Sequence, residues 1–434
     1  MSESFAYHPE VLDRHWYERF VELNFSDFDK LDGDGSERVK QKEAFLAGDI
    51  VTPSLDYPHL EEFDFQEREA SLLELKAEIV DTEQNEIVKK IYRTRINEAV
   101  AKLRMLKAAR DHDDRRFSAY SDYIYGAPEG DLVSYTASFV QKKIDRFLHS
   151  KHKEKRDAAL LLQDMTGTHE ISDIQPPTAE GENLTGSIKN VDEVVQLFEQ
   201  YLEDEGVDDW DVVVSDNESI SGFRVSQERK EMVIPGTQFT GEKGKTQGVV
   251  HGFLHHEGMH VKRRHSGERS KLALLGVGLD RVEKGEEGVA TYTEQQVRGT
   301  KEYAHPQRYF AIAYAKGEID GKPKDFRQTF EMLKQYYLMS LKPGEDLAVR
   351  ADDWAWKLTV RVFRGTTGKT PGAVYTKDMA YFQGNKETWE LVSKDSEITK
   401  KFSIGKFDTY NERHISMLVE LGILDEDLRL LESD

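Results

Sequence analysis

Cysteine is absent from this chain of 434 residues. Its absence excludes disulfides, thiolate metal sites and thiol nucleophiles. Long apolar runs are missing too, so no segment is expected to span a membrane. The opening residues, MSESFAYHPEVLDRHWYERF, lack the basic and apolar tracts of a secretion signal. Positive charge is scarce: 60 Lys and Arg stand against 81 Asp and Glu, a net charge of −21. A nucleic acid or an anionic membrane would call for a basic footprint, so neither is expected as a partner. The simplest reading is a soluble cytoplasmic protein. No oligomeric state is specified.

What is present is mostly helical. Residues 1–165 read as a charged helical region in which Ser71 to Asp111 carries long stretches of good helix formers. The tyrosines of FSAYSDYIYGAP (Phe117 to Pro128) read as packing residues. Between Asp29 and Asp34 the acidic spacing resembles a calcium loop, but most oxygen ligands before Glu43 are lacking, so a plain loop is expected. Residues 166–187, with Pro176 and Pro177, read as a polar linker. Residues 188–434 form the remaining region. It opens with a helix (Val191 to Glu205), then short β-branched runs, WDVVVSD, GFRVSQ and EMVIP, that read as strands. A polar loop, Gly241 to Gly248, follows. The expected class is α+β, mainly helical.

The chemistry concentrates in HGFLHHEGMHVKRRHSG, His251 to Gly267. On a helix, His256 and His260 lie one turn apart on one face and can share a metal ion. Glu257 points about 100° away, where a general base for an activated water belongs. Two partly exposed histidines on a basic helix end is the plainer alternative. A second helix, opening near Glu283, carries Glu286-Glu287-Gly288-Val289-Ala290. Hydrolytic zinc sites use three protein ligands and leave a position open. Glu287, 27 residues beyond His260 (287 − 260), suits the third place, and only one of Glu286 and Glu287 can face the ion. The metzincin pattern HExxHxxGxxH does not fit, because His265 falls one residue early.

These residues also carry a resemblance. HHEGMHVKRRHSG followed by LLGVGLDRVEKGEEGVATYTEQ resembles the tyrosine carboxypeptidase family. That family includes microtubule-associated enzymes that trim the last tyrosine of α-tubulin and bacterial flavohaemoglobin-expression-modulating QEGLP-motif proteins. EEGVA matches the family's (E/Q)EG(L/V)(A/P) element, which also favours Glu287 as the ligand. TVRVFRGT (Thr359 to Thr366) and VYTKDMAYFQGN (Val374 to Asn385) are similar as well, and the likeness runs with gaps from about Ser118 to the end. The family usually reads HE-I-G-T-H. Aligning Gly258 with its glycine would put His255 at the first ligand position, whereas the HExxH spacing puts His256 there and Glu257 as base. The HExxH assignment is kept.

Farther on, Leu347, Ala351, Trp354, Leu358 and Val362 form a helical stripe that Gly365 terminates. Lys357, Arg361 and Arg364 share another face. They either complement the helix dipole or, for Arg361 and Arg364, clamp a substrate carboxylate. Thr376 is placed to cap the next helix, with Lys377 and Tyr381 one turn apart as candidates for the substrate carboxylate or the oxyanion. Lys262, Arg263 and Arg264 could draw in an acidic tail or simply be a solvated helix end.

The expectation is therefore a gluzincin-type, zincin-like zinc peptidase. His256, His260 and Glu287 would hold Zn²⁺ and Glu257 would be the base. A sheet edge beside the active-site helix would take an extended substrate by strand addition. The resemblance implies removal of a C-terminal, aromatic residue from a peptide or protein tail, with the tubulin tail as one substrate. The competing readings are a non-catalytic interaction or regulatory protein retaining a structural metal, and a zinc hydrolase of a non-peptide amide.

Overall fold

The computed structural model describes residues 7–26, 30–31, 33, 35–217, 222–240 and 243–425. It is mainly helical, with two small sheets. Of the acidic stretch expected to be a plain loop, Asp29, Asp32 and Asp34 lie outside the described residues, and its continuation is not loop: Gly35–Ala47, with Glu43, is helix and buries Phe45.

Local capping explains much of the helical part. Asp64 accepts from Glu67 N at the start of Phe65–Thr82, and Asn85 accepts from Ile87 N and Val88 N at the start of Glu86–Arg110. Each cap satisfies amide donors that the first helical turn leaves unpaired. The two helices pack on each other across a short connection. Buried apolar side chains form two clusters. The larger runs from Trp16 to Leu424 and mixes residues of both chain ends, such as Leu72 and Ile96 with Phe326 and Phe382. The smaller, from Ile188 to Val261, lies around the three-stranded sheet.

That sheet has the order β2 (Asp211–Ser215), β4 (Glu231–Pro235), β3 (Arg224–Ser226), with β2 parallel and β3 antiparallel to β4. The central strand EMVIP is the most apolar and the most buried, as a strand paired on both edges should be. β2 and β3 are left as edges. The second sheet pairs β1 (Ser187–Ile188) with β5 (Lys245–Thr246). Residues 245 to 248 are thus not the loop expected of them: Lys245–Thr246 is strand, and helix begins at Gln247, with Thr246 accepting from Val249 N at 3.4 Å. Within 166–187, Ala179 exchanges two backbone hydrogen bonds with Thr300, at 3.0 and 2.9 Å.

Two further details differ from expectation. In the helix Leu347–Val362, Trp354 is 49% exposed, while Ala355 and Trp356 turn inward. The buried stripe runs 347, 351, 355, 358 and 362, so Trp354 sits about 100° off it. Thr376 caps nothing with its side chain. Its hydroxyl pairs with Ser121 Oγ at 2.9 Å, and the next helix, Met379–Lys394, starts after Asp378.

Candidate metal centre

The histidine helix, Gln247–Glu268, buries Val250, Leu254 and Val261 in the smaller cluster. Its opposite side meets the glutamate helix, Glu283–Arg298. His256 and His260 stand one turn apart with ring centroids 5.2 Å from each other. Nε2 of each ring lies 3.8 Å from Oε2 of Glu287. Tetrahedral zinc with bonds of about 2.0–2.1 Å separates its donors by roughly 3.4 Å, so one ion fits among these three atoms. Oε2 of Glu287 is buried and has no hydrogen-bond partner. A carboxylate oxygen left so is costly unless a cation meets it.

The outer nitrogens of both rings face carboxylates. His260 Nδ1 lies 2.9 Å from Glu286 Oε1, and His256 Nδ1 lies 3.2 Å from Glu294 Oε2. Only the His260 contact is a hydrogen bond; there a proton held at Nδ1 turns the Nε2 lone pair toward Glu287, an arrangement typical of metal-binding histidines, while His256 Nδ1 faces its carboxylate without one. Glu286 is itself held by Lys406 Nζ at 3.0 Å and Arg263 Nε at 3.2 Å. Burial would raise its carboxyl, but Lys406, Arg263 and His260 hold it well below the usual carboxylate range. Burial likewise opposes ionisation of Glu294, yet His256 and Arg298 bring it down to about 2. Against desolvation, Glu294, Glu257 and Glu287 draw the His256 imidazole up to about 9. The negative charge around these rings exceeds what the protein's own cations neutralise. Among the described residues neither Glu257 nor Glu287 pairs with a lysine or arginine.

Glu257 is 8% exposed, and burial raises its carboxyl above the ordinary value although both histidines pull the other way. His255, the alternative first position, turns to the Tyr201 ring, 5.7 Å between centroids, and is not part of the group. Lys377 lines a cavity of about 280 Å³ together with His260, Glu287 and, at the β3 edge, Val225 and Gln227. Arg361 donates to both oxygens of Asp378, one contact at 2.7 Å. Arg364 lies in the field of the same Asp378. Tyr381 packs edge-on to His305, with centroids 5.5 Å apart. The three basic residues after the motif do not form an attracting patch. Lys262 pairs with Glu205 at 2.6 Å and Arg264 with Glu268 at 3.0 Å. Arg263 is fully buried, donating to the carbonyls of Gly405, Gly285 and Phe407.

Glu294 has no motif signal of its own. Its only mark is position: seven residues after Glu287 means two turns along the same face. The two glycine-bearing motifs explain how this face is held. A Cβ on Gly288 would sit 2.4 Å from the backbone of Gly384, so glutamate helix and Met379–Lys394 touch backbone to backbone. Next to that contact, Asn385 donates to Thr291 Oγ1 and Gln295 Oε1 and accepts from Ala304 N at 2.9 Å.

No helix among the described residues is long and apolar enough to cross a membrane. Searches of curated proteins and of solved structures find no match. A family model does match, over residues 43–428, and takes in the histidine helix, the glutamate helix and the Gly384 contact alike: the chain belongs to the microtubule-associated tyrosine carboxypeptidase family.

Proposed function

We propose that this protein is a zinc-dependent carboxypeptidase with a zincin-like site, acting on the C-terminal tail of a peptide or protein. The observation that carries this reading is the unpartnered Glu287 oxygen, equally distant from two imidazole nitrogens whose far sides face carboxylates. His256, His260 and Glu287 would be the ligands. Zinc, when bound, supplies Lewis acidity and makes water nucleophilic near neutral pH. Glu257 takes the proton of the attacking water and passes it to the leaving amine; a carboxyl raised by burial is better matched to that exchange. The free edge of β3, whose Val225 lines the same cavity as Glu287, is available to pair with an extended substrate. The family's name directs attention to tails that end in tyrosine, the tubulin tail among them.

The test is release of the last residue from tyrosine-ended peptides by zinc-loaded protein, followed by mass spectrometry. Glu257→Gln should keep fold and metal while turnover falls on the order of 10²–10⁴-fold. Undiminished turnover in that variant removes Glu257 from the base role, and cuts confined to internal bonds make the protein an endopeptidase.

A further inference from the structure

Several basic residues around the candidate metal centre are engaged by carboxylates. Lys406 and Arg263 hold Glu286, Arg298 holds Glu294, and Arg361 has its fork on Asp378. Arg308 has nothing of the kind. Among the described residues its side chain makes no hydrogen bond and no ion pair, and its guanidinium lies over the Tyr381 ring, 4.8 Å from the centroid. It is half-buried; burial and the like charge of Arg361 disfavour its cation, and Asp378, whose two oxygens Arg361 already occupies, attracts it only from beyond ion-pair distance. It also stands in the first turn of the helix Pro306–Lys316, where the dipole disfavours a cation. Helix stability does not explain a guanidinium there, and the Tyr381 ring face leaves its N–H donors without acceptors. An incoming anion would supply them.

The placement points the same way. Tyr381 lies one turn before Gly384, whose backbone touches that of Gly288, the neighbour of Glu287. The charge of Glu287 is felt at both Tyr381 and Arg361. His305, three residues ahead of Arg308, lines a cavity of about 270 Å³ together with Glu294, the carboxylate behind His256. His305 holds a left-handed backbone, φ 52°, and Asn385 ties down the preceding Ala304 N. A strained residue locked in this way presents the following turn, with Arg308, in one orientation. The Tyr381 hydroxyl has no hydrogen-bond partner among the described residues either, so the ring that the guanidinium covers carries a second donor.

We propose that Arg308, assisted by the Tyr381 hydroxyl, receives the free α-carboxylate of the substrate's last residue. The assignment rests on the carboxypeptidase reading and supplies its anchor, in place of Arg361 and Arg364. A guanidinium fork matches a carboxylate in two-point geometry, and a C-terminal amide cannot use it as an anion.

Binding to full-length, zinc-loaded Glu257→Gln protein tests this without turnover. The probes are an acidic peptide ending in free tyrosine and the same peptide as its C-terminal amide, compared by calorimetry. The acid should bind on the order of 10–100-fold more tightly than the amide. Adding Arg308→Gln should abolish that preference, Arg308→Lys should restore part of it, and Tyr381→Phe should reduce it. Equal binding of acid and amide before Arg308 is changed, or a preference that survives its loss, overturns the proposal. Should Arg308→Gln not fold, the Lys and Phe variants decide, an unchanged preference in both being the overturning result. The catalytic reading fails separately: wild type that binds the acid through Arg308 but releases no residue leaves the anchor standing and removes the hydrolysis.

Discussion

Two groups of acids and histidines use the same helix, Gln247–Glu268. His256 and His260 face Glu287; His265, near the helix end, faces Asp208 and Asp209. By residue type both could hold a metal. Their surroundings differ. Asp209 accepts from His265 Nδ1 at 3.1 Å and Lys230 Nζ at 2.6 Å, and Asp208 is exposed beside Arg269. Lys230 also reaches Glu268, which accepts from Tyr17 and Arg264 as well. The second group is a closed network of compensated charges. The first keeps a buried carboxylate oxygen with no partner and two ring nitrogens turned toward it. A metal site differs from an ion-pair network in which charges are left for a cation to answer, and ligand-type residues alone do not make that difference.

The comparison can be broken most directly with the ligands. His256→Ala with His260→Ala should take zinc from about one per chain to none by elemental analysis, whereas Asp208→Ala with Asp209→Ala should leave it unchanged. Metal lost from the second pair instead would reverse the comparison. A smaller effect is expected one layer out. Glu286→Gln or Glu294→Gln should weaken zinc retention about 10–100-fold in chelator competition; an unchanged affinity would mean that those carboxylates do not orient the rings. The smallest effect belongs to the second group and is one of stability. Burial disfavours the Asp209 anion, but His265 and Lys230 hold its carboxyl well below the ordinary range. Its contribution is therefore present above the unfolded value of about 3.9 and is lost as pH falls from there toward the depressed one. Asp209→Asn should lower the urea midpoint at pH 7 and flatten its decline through the acid range, without touching bound metal. An identical acid decline in both proteins would show that this network does not store the expected stability.

Much of this could be read before any coordinates. The helices around Ser71–Asp111, the three strands and the HExxH face follow from local periodicity, which each segment carries in its own residues. Family membership was legible too, though the match begins at residue 43, well ahead of the motifs that suggested it. Other features were not legible. Lys262, Arg263 and Arg264 form one basic run, yet one is buried on carbonyls and two answer nearby glutamates. Trp354 obeys the stripe within a residue but faces solvent. Arg361 has the right type for a clamp and is already engaged by Asp378, 17 residues on (378 − 361). Charge and periodicity give a residue's options, and its partners select among them.

The sequence by itself determined that His256 and His260 share a face, because helical hydrogen bonding sets that spacing within one turn. It also determined that Glu257 stands beside them and that Glu286 and Glu287 diverge. Only the tertiary structure decided that Glu287 turns its unpaired oxygen to both rings, that Glu286 and Glu294 stand behind them, and that the Arg308 side chain has no ion pair among the described residues. Those relations join segments tens of residues apart, and they depend on how closely helix backbones meet at Gly288 and Gly384, a distance that no local pattern encodes.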